Sequence, residues 1–269
     1  MAQATLAFIG GGNMAGAIFG GLVKSGWPPE AITVIEPAAE QRERIATAVP
    51  GLRVVAAADA ALAICDCVVW AVKPQSFADA AAPCAPFVGN ALHLSVMAGI
   101  RSDTLVRATR SERVVRAMPN TPALIGRGIA GLYARAAVSR ADRSAVEAIL
   151  APTGQTLWLD QEAQLDAVTA LSGSGPAYVF YMLEAMLQAG TEMGLSAGAA
   201  RQLALATFDG AAALAAASSE APETLRARVT SKGGTTYAAI TELEASGVKA
   251  AFVRALHAAG ARAEELGRA

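Results

Sequence analysis

Short apolar runs alternate with helix-compatible segments over the first part of the chain. These runs predict strands at 4–9, 32–36, 53–56, 67–72, 92–97, 114–118, 128–133 and 156–159. Continuous apolar strands that alternate with helices are typical of a parallel sheet that is covered on both faces. We therefore predict an α/β fold built on a doubly wound sheet.

Beyond Gln161 the strand pattern stops and apolar residues recur at helical spacing. The predicted helices span 163–171, 175–194, 197–218, 222–229, 235–246 and 248–266. Gly194, Gly247 and Gly267 stand at predicted helix ends, and Ser196 and Pro222 stand near predicted helix starts. We predict a separate, all-helical C-terminal domain.

Composition argues against nucleic-acid and membrane partners. Lys and Arg number 22 against 23 for Asp and Glu, so the formal net charge is −1. Hydrophobic residues make up 54% and mean hydropathy is +0.37, but Glu184 and Asp209 interrupt the long apolar runs. An odd number of cysteines (Cys65, Cys67, Cys84) and no basic segment before the first apolar run predict a reduced, cytoplasmic protein without a secretion signal.

A glycine-rich segment follows the first predicted strand and opens a helix. Its spacing, Gly10-x-Gly12-x-x-Ala15, is that of a dinucleotide-binding turn in which glycines admit the pyrophosphate to the backbone; the alternative is a plain tight turn. The fold class is therefore an N-terminal Rossmann-type domain, residues 1–161, followed by an all-helical C-terminal domain, residues 162–269. The predicted cofactor contacts in the turn are Gly10, Gly11, Gly12, Asn13, Met14 and Ala15.

Residues at three further strand ends extend this site, because ligands of open α/β sheets lie outside the carboxyl ends of the strands. Glu36 ends the second strand, where an acidic residue binds the ribose hydroxyls of NAD and repels the 2′-phosphate of NADP. Arg42 and Arg44 could offset that repulsion, so both NADPH and NADH stay open as cofactors. The other candidates are Ala71, Val72, Lys73, Pro74, Val96, Met97 and Ala98.

A second glycine-rich helix start lies near the end of the chain. It reads Ser231-Lys232-Gly233-Gly234-Thr235-Thr236 and precedes an amphipathic stretch. The exposed N–H groups and the dipole of such a helix start favour an anion. We predict that this turn binds a small anionic substrate, although helix capping alone would also explain its threonines.

The chain lacks an obvious general base. His93 lies within an apolar strand and His257 in the last predicted helix, and we interpret both as structural. Oxidation of an alcohol usually needs such a base. Its absence favours a substrate that accepts hydride without strong acid–base help, such as a cyclic imine.

Two further segments, Arg116–Ala123 and Leu171–Tyr178, complete an ordered set of motifs with the two glycine-rich turns. In this order the chain closely resembles the pyrroline-5-carboxylate reductase family over essentially its whole length. The resemblance implies reduction of 1-pyrroline-5-carboxylate to L-proline by hydride transfer from NADPH or NADH, the final step of proline biosynthesis.

The resemblance also implies roles for the second turn. Thr236 would be the catalytic residue, with its hydroxyl at the ring nitrogen of the substrate. In this family the C-terminal helices of two subunits interlock, each site combines one subunit's cofactor domain with the partner's turn, and dimers assemble further, here expected to reach a decamer. The substrate-binding residues would be Ser231, Gly233, Gly234, Thr235 and Pro176.

Two positions depart from the family's pattern. Lys232 stands where proline is common, and Glu36 stands where many relatives carry a small polar residue, which weakens the family's lean toward NADPH. The roles of Ser172, Ser174 and Asn120 stay open between cleft contacts and rigid packing.

Two other functions are compatible with parts of the sequence. A 3-hydroxyacid dehydrogenase of the 6-phosphogluconate type needs a lysine in the first long helix of its second domain, and Ala177–Gly194 contains no lysine. A non-catalytic nucleotide sensor would not need the second turn. The helix at 197–218 has apolar residues on too many faces for a solvated helix, which predicts an oligomer.

Overall fold

The computed structural model describes residues 4–268 and contains a single mixed sheet. Within these residues eight strands pair in the order β3-β2-β1-β4-β5-β6-β7-β8. The strands are β1 (Leu6–Ile9), β2 (Ile32–Ile35), β3 (Arg53–Val55), β4 (Cys67–Trp70), β5 (Leu92–Ser95), β6 (Val114–Met118), β7 (Gly128–Ala134) and β8 (Gly154–Trp158). All eight predicted strands are present, each with ends that differ from the prediction by no more than two residues.

The strand order of the sheet has a topological switch point between β1 and β4. Strands β1 to β3 extend to one side, and β4 to β6 extend in parallel to the other. Ligands of doubly wound sheets bind outside the carboxyl ends of the strands at such a switch point. The predicted Rossmann-type fold is therefore confirmed, and the glycine-rich turn after β1 lies at its binding edge.

The last part of the sheet departs from the predicted parallel arrangement. Strand β7 runs antiparallel to β6, and β8 then runs parallel to β7. The connection from Met118 to Gly128 holds only a short 3-10 segment, Thr121–Ile125, and no crossover helix. Parallel neighbours need a crossover of about a dozen residues, so this short link requires an antiparallel pair.

Helices cover both faces of the sheet because successive strand residues point to opposite sides. Leu6 and Phe8 enter one buried cluster, whereas Ala7 and Ile9 enter the other. Within residues 4–268 there are eleven α-helices. They are α1 (Asn13–Lys24), α2 (Ala39–Ala48), α3 (Phe77–Ala81), α4 (Ser102–Thr109), α5 (Arg140–Leu150), α6 (Gln164–Val168), α7 (Gly175–Glu192), α8 (Ala197–Ala216), α9 (Pro222–Arg228), α10 (Thr235–Ala245) and α11 (Val248–Arg268).

The chain divides into two compact units. The first comprises the described residues up to Ser174 together with those from Ala259 onward, and the second is Gly175–Ala258. The predicted division after residue 161 stays a proposal about domain organisation. Gly194 and Gly247 end helices with positive φ angles of 95° and 64°, as expected, but Gly267 lies inside α11 and ends nothing.

A buried charged cluster holds the segment before α6 on the first unit. Glu162 accepts hydrogen bonds from the backbone N–H and hydroxyl of Ser102, at 2.7 and 2.6 Å, and from Arg116 at 2.8 Å. Burial alone would raise the pKa of Glu162, but these hydrogen bonds outweigh it and lower that pKa below its ordinary value. Arg101 pairs with Asp166 at 2.7 Å and reinforces the attachment.

The second unit is helical and leaves many large apolar side chains exposed. Phe180, Tyr181 and Leu203 are more than half exposed. In this unit only three residues are buried, namely Gly190, Ala200 and Ala204. Exposed apolar surface on this scale is typical of an interaction surface. No helix in the described part of the chain is both long and apolar enough to cross a membrane.

Candidate active site

The first glycine-rich turn is closely packed where it leaves β1. Gly10 has a φ of +95°, and a Cβ added there would lie 2.8 Å from the Ala71 carbonyl oxygen. Its N–H donates to the Ile35 carbonyl at 2.9 Å. A left-handed φ and this close approach both require glycine. The turn is thereby pressed between the ends of β2 and β4.

Helix α1 starts from a residue whose surroundings are open. Gly12 is the N-cap, and a Cβ added to it would meet no atom of the described chain within 4 Å. Asn13 is exposed and Met14 half-buried, while Ala15 is fully buried against the sheet, as the motif predicts. An N-cap glycine leaves the first N–H groups of the helix without a side-chain acceptor, and an anionic pyrophosphate fits that arrangement.

Glu36 is tied to the glycine turn by its carboxylate. Its Oε2 accepts the Gly11 N–H at 3.0 Å, and its Oε1 accepts the Ala38 N–H at 3.0 Å. The side-chain amide of Gln41 donates to the Gly11 carbonyl at 2.7 Å, so the Gly11 residue is held from both sides. A Cβ on Gly11 would lie 2.3 Å from Ile45 Cδ1, so any other residue here would require the Ile45 side chain to move.

The ends of β4 and β5 lie beside the same turn. Ala71 donates its N–H to Ile9, and Val96 donates its N–H to Trp70, which places both segments at the binding edge. Lys73 and Pro74 are exposed there, whereas Val72, Val96 and Ala98 are half-buried. The Met97 side chain is only 3% exposed and packs in the core, so Met97 can offer a ligand its backbone alone.

The second glycine-rich turn lies in the helical unit and is open. The Gly234 N–H donates to the Ser231 carbonyl at 3.0 Å, and Gly233 adopts a φ of +77° in the turn between them. Gly234 is the N-cap of α10, so Thr235 and Thr236 are its first two residues rather than its cap. Within residues 4–268 the Thr236 hydroxyl has no hydrogen-bond partner, and its side chain is exposed.

The Leu171–Tyr178 segment begins as a distorted helix. Thr169–Gly173 forms a π-helical turn, a geometry that is frequent at functional sites. The Asn120 side chain accepts the Ile129 N–H at 3.1 Å and donates to Ser172 Oγ at 3.2 Å. Asn120 and Ser172 thus join the exit of β6 to the π-helical turn. Pro176 follows in α7, half-buried, within the second unit.

Both histidines were interpreted as structural from the sequence, but only His93 is packed in the first unit. His257 is exposed on α11 and is not part of a core. Trp70 Nε1 donates to His93 Nδ1 at 3.0 Å, and His93 Nε2 then donates to the Val88 carbonyl at 3.1 Å. Burial lowers the pKa of His93 to about 4, which keeps the ring neutral. Cys65, Cys67 and Cys84 are buried free thiols, and burial raises the pKa of Cys67 to about 12.

Several contacts at the site were not found from the sequence. They are the hydrogen bonds of Gln41 to the glycine turn, of Asn120 to Ser172, and of Glu162 to Ser102. Each joins positions 30 to 60 residues apart. Their only sequence signal is a polar residue beside an apolar run, and such residues are common on any protein surface.

Comparisons with known proteins agree with this geometry. A family model described as pyrroline-5-carboxylate reductase dimerisation matches residues 162–266, and one described as NADP oxidoreductase, coenzyme F420-dependent, matches residues 5–99. The pyrroline-5-carboxylate reductase of Pseudomonas aeruginosa is 46% identical over 268 residues, which cover 99% of this chain and 98% of that protein. The enzyme of Haemophilus influenzae is 40% identical, with 99% and 98% covered.

Solved structures give the same result. A pyrroline-5-carboxylate reductase from Coxiella burnetii superposes with a TM-score of 0.90 at 33% identity, covering 98% of this chain and 99% of that one. The pyrroline carboxylate reductase of Plasmodium falciparum with NADP bound gives a TM-score of 0.88 at 27% identity, with 99% of each chain covered.

The sheet, its switch point and the glycine turn define a nicotinamide-dependent oxidoreductase of the Rossmann class with a helical second domain. Relatives that match over the whole chain narrow this class. The chain belongs to the pyrroline-5-carboxylate reductase family. It is an NAD(P)H-dependent reductase that converts 1-pyrroline-5-carboxylate to proline and functions as an oligomer.

Proposed function

We propose that the two glycine-rich turns divide this reduction between them. Gly10–Ala15, Glu36, Ala71–Pro74 and Val96–Ala98 bind the cofactor, and Ser231–Thr236 binds the substrate. The observation that carries the first assignment is the position of Gly12 at the start of a helix at the switch point, where an added Cβ would meet no described atom within 4 Å. The cofactor supplies hydride to the imine carbon when it is bound.

For the substrate, the supporting observation is the unpartnered Thr236 hydroxyl at the second position of α10. The N–H groups of Thr235 and Thr236 stand at the positive end of this helix and suit the substrate carboxylate. A hydroxyl both donates and accepts, so Thr236 Oγ1 serves the ring nitrogen before and after it gains a proton. Ser231 and Gly233 shape the turn, and Pro176 lines the substrate.

Alignment supplies most of the catalytic effect in this proposal. His93 is not available as a base, because its ring is buried and held by Trp70 and Val88. An imine is reduced without a strong base, and effective alignment of two bound reactants contributes on the order of 7 kcal/mol or more to rate enhancement. Lys232, exposed beside the turn, adds a positive charge near the carboxylate.

The assembly proposed is a dimer that associates further into a decamer in the cytoplasm. The exposed apolar surface of the second unit supports association through its helices. We propose that each substrate turn then serves the cofactor domain of the partner subunit. Three buried free thiols support a reducing compartment. Sedimentation at micromolar concentration checks the mass: ten copies are expected, and a monomer contradicts the proposal.

The reaction is tested by following cofactor absorbance with and without 1-pyrroline-5-carboxylate. Oxidation of NADH or NADPH is expected only when the cyclic imine is present, with one proline formed for each cofactor consumed. No oxidation of either cofactor, with cofactor binding intact, would identify a nucleotide sensor instead.

A further inference from the structure

NADH and NADPH differ at the 2′ position of the adenosine ribose, which is a hydroxyl in NADH and a phosphate in NADPH. The residues between the first glycine turn and the end of β2 lie where this position is bound in doubly wound folds. Glu36 is the first residue after β2, at the place where doubly wound folds contact the ribose 2′ position. Both of its carboxylate oxygens are held by backbone N–H groups, those of Gly11 and Ala38, each at 3.0 Å. We propose that this fixed carboxylate makes the chain selective for NADH over NADPH.

A free 2′-hydroxyl is compatible with Glu36 as it stands. An ionised carboxylate offers about four lone-pair sites on its two oxygens. The two backbone N–H groups use one site on each oxygen, which leaves an acceptor for a ribose hydroxyl. The hydrogen bonds to Gly11 and Ala38 also hold the carboxylate in place, so it does not need to be ordered when the cofactor binds.

The same carboxylate disfavours a 2′-phosphate, because both groups are negatively charged. The Gly11 and Ala38 N–H groups, which would otherwise be available to an anion at this position, already donate to Glu36. A phosphate would therefore bring up to two negative charges against a fixed third one, without these donors to compensate it.

The nearby arginines are committed to other partners. Arg42 donates from one guanidinium nitrogen to the carbonyls of Glu36 and Pro37, at 3.0 and 2.7 Å. Arg44 pairs with Glu40 at 2.6 Å on the exposed side of α2. These contacts already use part of both guanidinium groups, which reduces the compensation that they can offer a phosphate. The sequence allowed Arg42 and Arg44 to compensate the charge of Glu36 toward a 2′-phosphate. Their contacts in the structure do not favour that compensation.

Glu36 also has a structural role, because its hydrogen bond with the Gly11 N–H helps to position the glycine turn. A loosened turn would weaken NADH and NADPH alike, since both carry the same pyrophosphate. A changed preference between them reports the charge at the 2′ position alone. The selectivity ratio therefore separates the two roles of this residue.

The inference rests on the proposed cofactor site, and its test is a binding measurement on the full-length protein without substrate. Dissociation constants are measured for NADH and NADPH by fluorescence, and for 5′-AMP and 2′,5′-ADP by displacement of NADH. The wild type is expected to bind NADH and 5′-AMP at least tenfold more tightly than their 2′-phosphorylated counterparts. Glu36→Gln is expected to reduce both ratios to threefold or less, chiefly through tighter binding of the phosphorylated ligands.

Glu43→Gln is the matched control, because it removes the same charge from an exposed position of α2 without releasing Arg44 from Glu40; it is expected to keep the wild-type ratios. Tighter binding of NADPH by the wild type would overturn the proposal. So would a Glu36→Gln protein whose ratios are unchanged, because Glu36 would then act only through the turn. Intact ratios in a protein that does not reduce 1-pyrroline-5-carboxylate would refute the proposed function and leave this inference standing.

Discussion

The two glycine-rich helix starts resemble each other in sequence but are built differently. At the first turn, added Cβ atoms on Gly10 and Gly11 would meet other atoms at 2.8 and 2.3 Å. At the second turn, an added Cβ on Gly233 meets nothing within 4 Å of it in the described chain. The first turn is enclosed by its own sheet, whereas the second is open and exposed.

This difference indicates what each turn needs in order to function. The first turn receives its supports from β2, β4 and α2 of the same unit, so one chain suffices to shape the proposed cofactor site. The second turn is held by its own hydrogen bond from Gly234 to Ser231 and otherwise faces outward. An open turn can accept a substrate and a neighbouring subunit together, which agrees with a family that dimerises through this half.

The largest effect is expected from Gly10→Ala. The new Cβ would meet the Ala71 carbonyl and force a left-handed backbone, so we expect the free energy of unfolding to fall by about 3 kcal/mol, with loss of cofactor binding. Denaturant titration and NADH fluorescence measure both. Gly26→Ala is the control, because Gly26 has a similar φ of +97° but an open Cβ position. An equal loss of stability in both variants would show that enclosure of the first turn contributes nothing.

At the open turn, Thr236→Ala should affect turnover rather than folding. Removing one positioned hydroxyl is expected to lower kcat by roughly ten- to a thousandfold, with cofactor affinity and stability close to those of the wild type. Thr241→Ala serves as the control on the same helix, because the Thr241 hydroxyl bonds to the Tyr237 carbonyl within α10. A folded Thr236→Ala protein with wild-type steady-state rates would refute the assigned role.

The burial of His93 between Trp70 and Val88 should make the free energy of unfolding depend on pH. Its pKa in the folded chain is about 4, below the ordinary value of about 6.5. The unfolded chain therefore takes up a proton first as the pH falls. This stabilising contribution is complete above pH ~6.5 and declines toward pH ~4, with a loss of about 2 kcal/mol between pH 7 and 5.

His93→Gln tests that dependence, because an amide can accept from Trp70 and donate to Val88 without titrating. We expect a flatter profile of unfolding free energy against pH, measured at fixed protein concentration. Equal slopes for wild type and His93→Gln would mean that the His93 site is open to water.

The smallest effect is expected from Gly12→Ala, which places a methyl group in the open space at the start of α1. Stability should change by about 1 kcal/mol or less, the cost of alanine instead of glycine at an N-cap. Cofactor affinity should fall about tenfold, since the methyl group occupies space proposed for the pyrophosphate. Fluorescence titration with NADH measures this. An unchanged affinity for NADH would refute the proposal that the cofactor binds at this turn.

Much of the fold could be predicted because strands and glycine turns leave local signals. The run before Gly10 and the turn itself occupy consecutive positions, and the sheet order follows from the motif they form. The antiparallel β7 was missed, because apolar alternation does not record strand direction; only the short link before Gly128 does.

The candidate site was less predictable, for a related reason. Glu36 could be assigned to the strand end from its spacing, but its bonds to Gly11 and Ala38 depend on the tertiary approach of β2 to the turn. The same holds for Asn120, whose partner Ser172 lies 52 residues away. The assigned roles of Thr236 and of the cofactor residues stay predictions.

The division of labour between the two turns is tested most directly by a double-mutant cycle on Gly12→Ala and Thr236→Ala. The dissociation constant of NADH and kcat at saturating cofactor are measured for the wild type, both single variants and the double variant. We predict that Gly12→Ala raises only the dissociation constant, that Thr236→Ala lowers only kcat, and that the double variant shows the product of both effects. Loss of cofactor affinity in Thr236→Ala equal to that in Gly12→Ala would contradict the account.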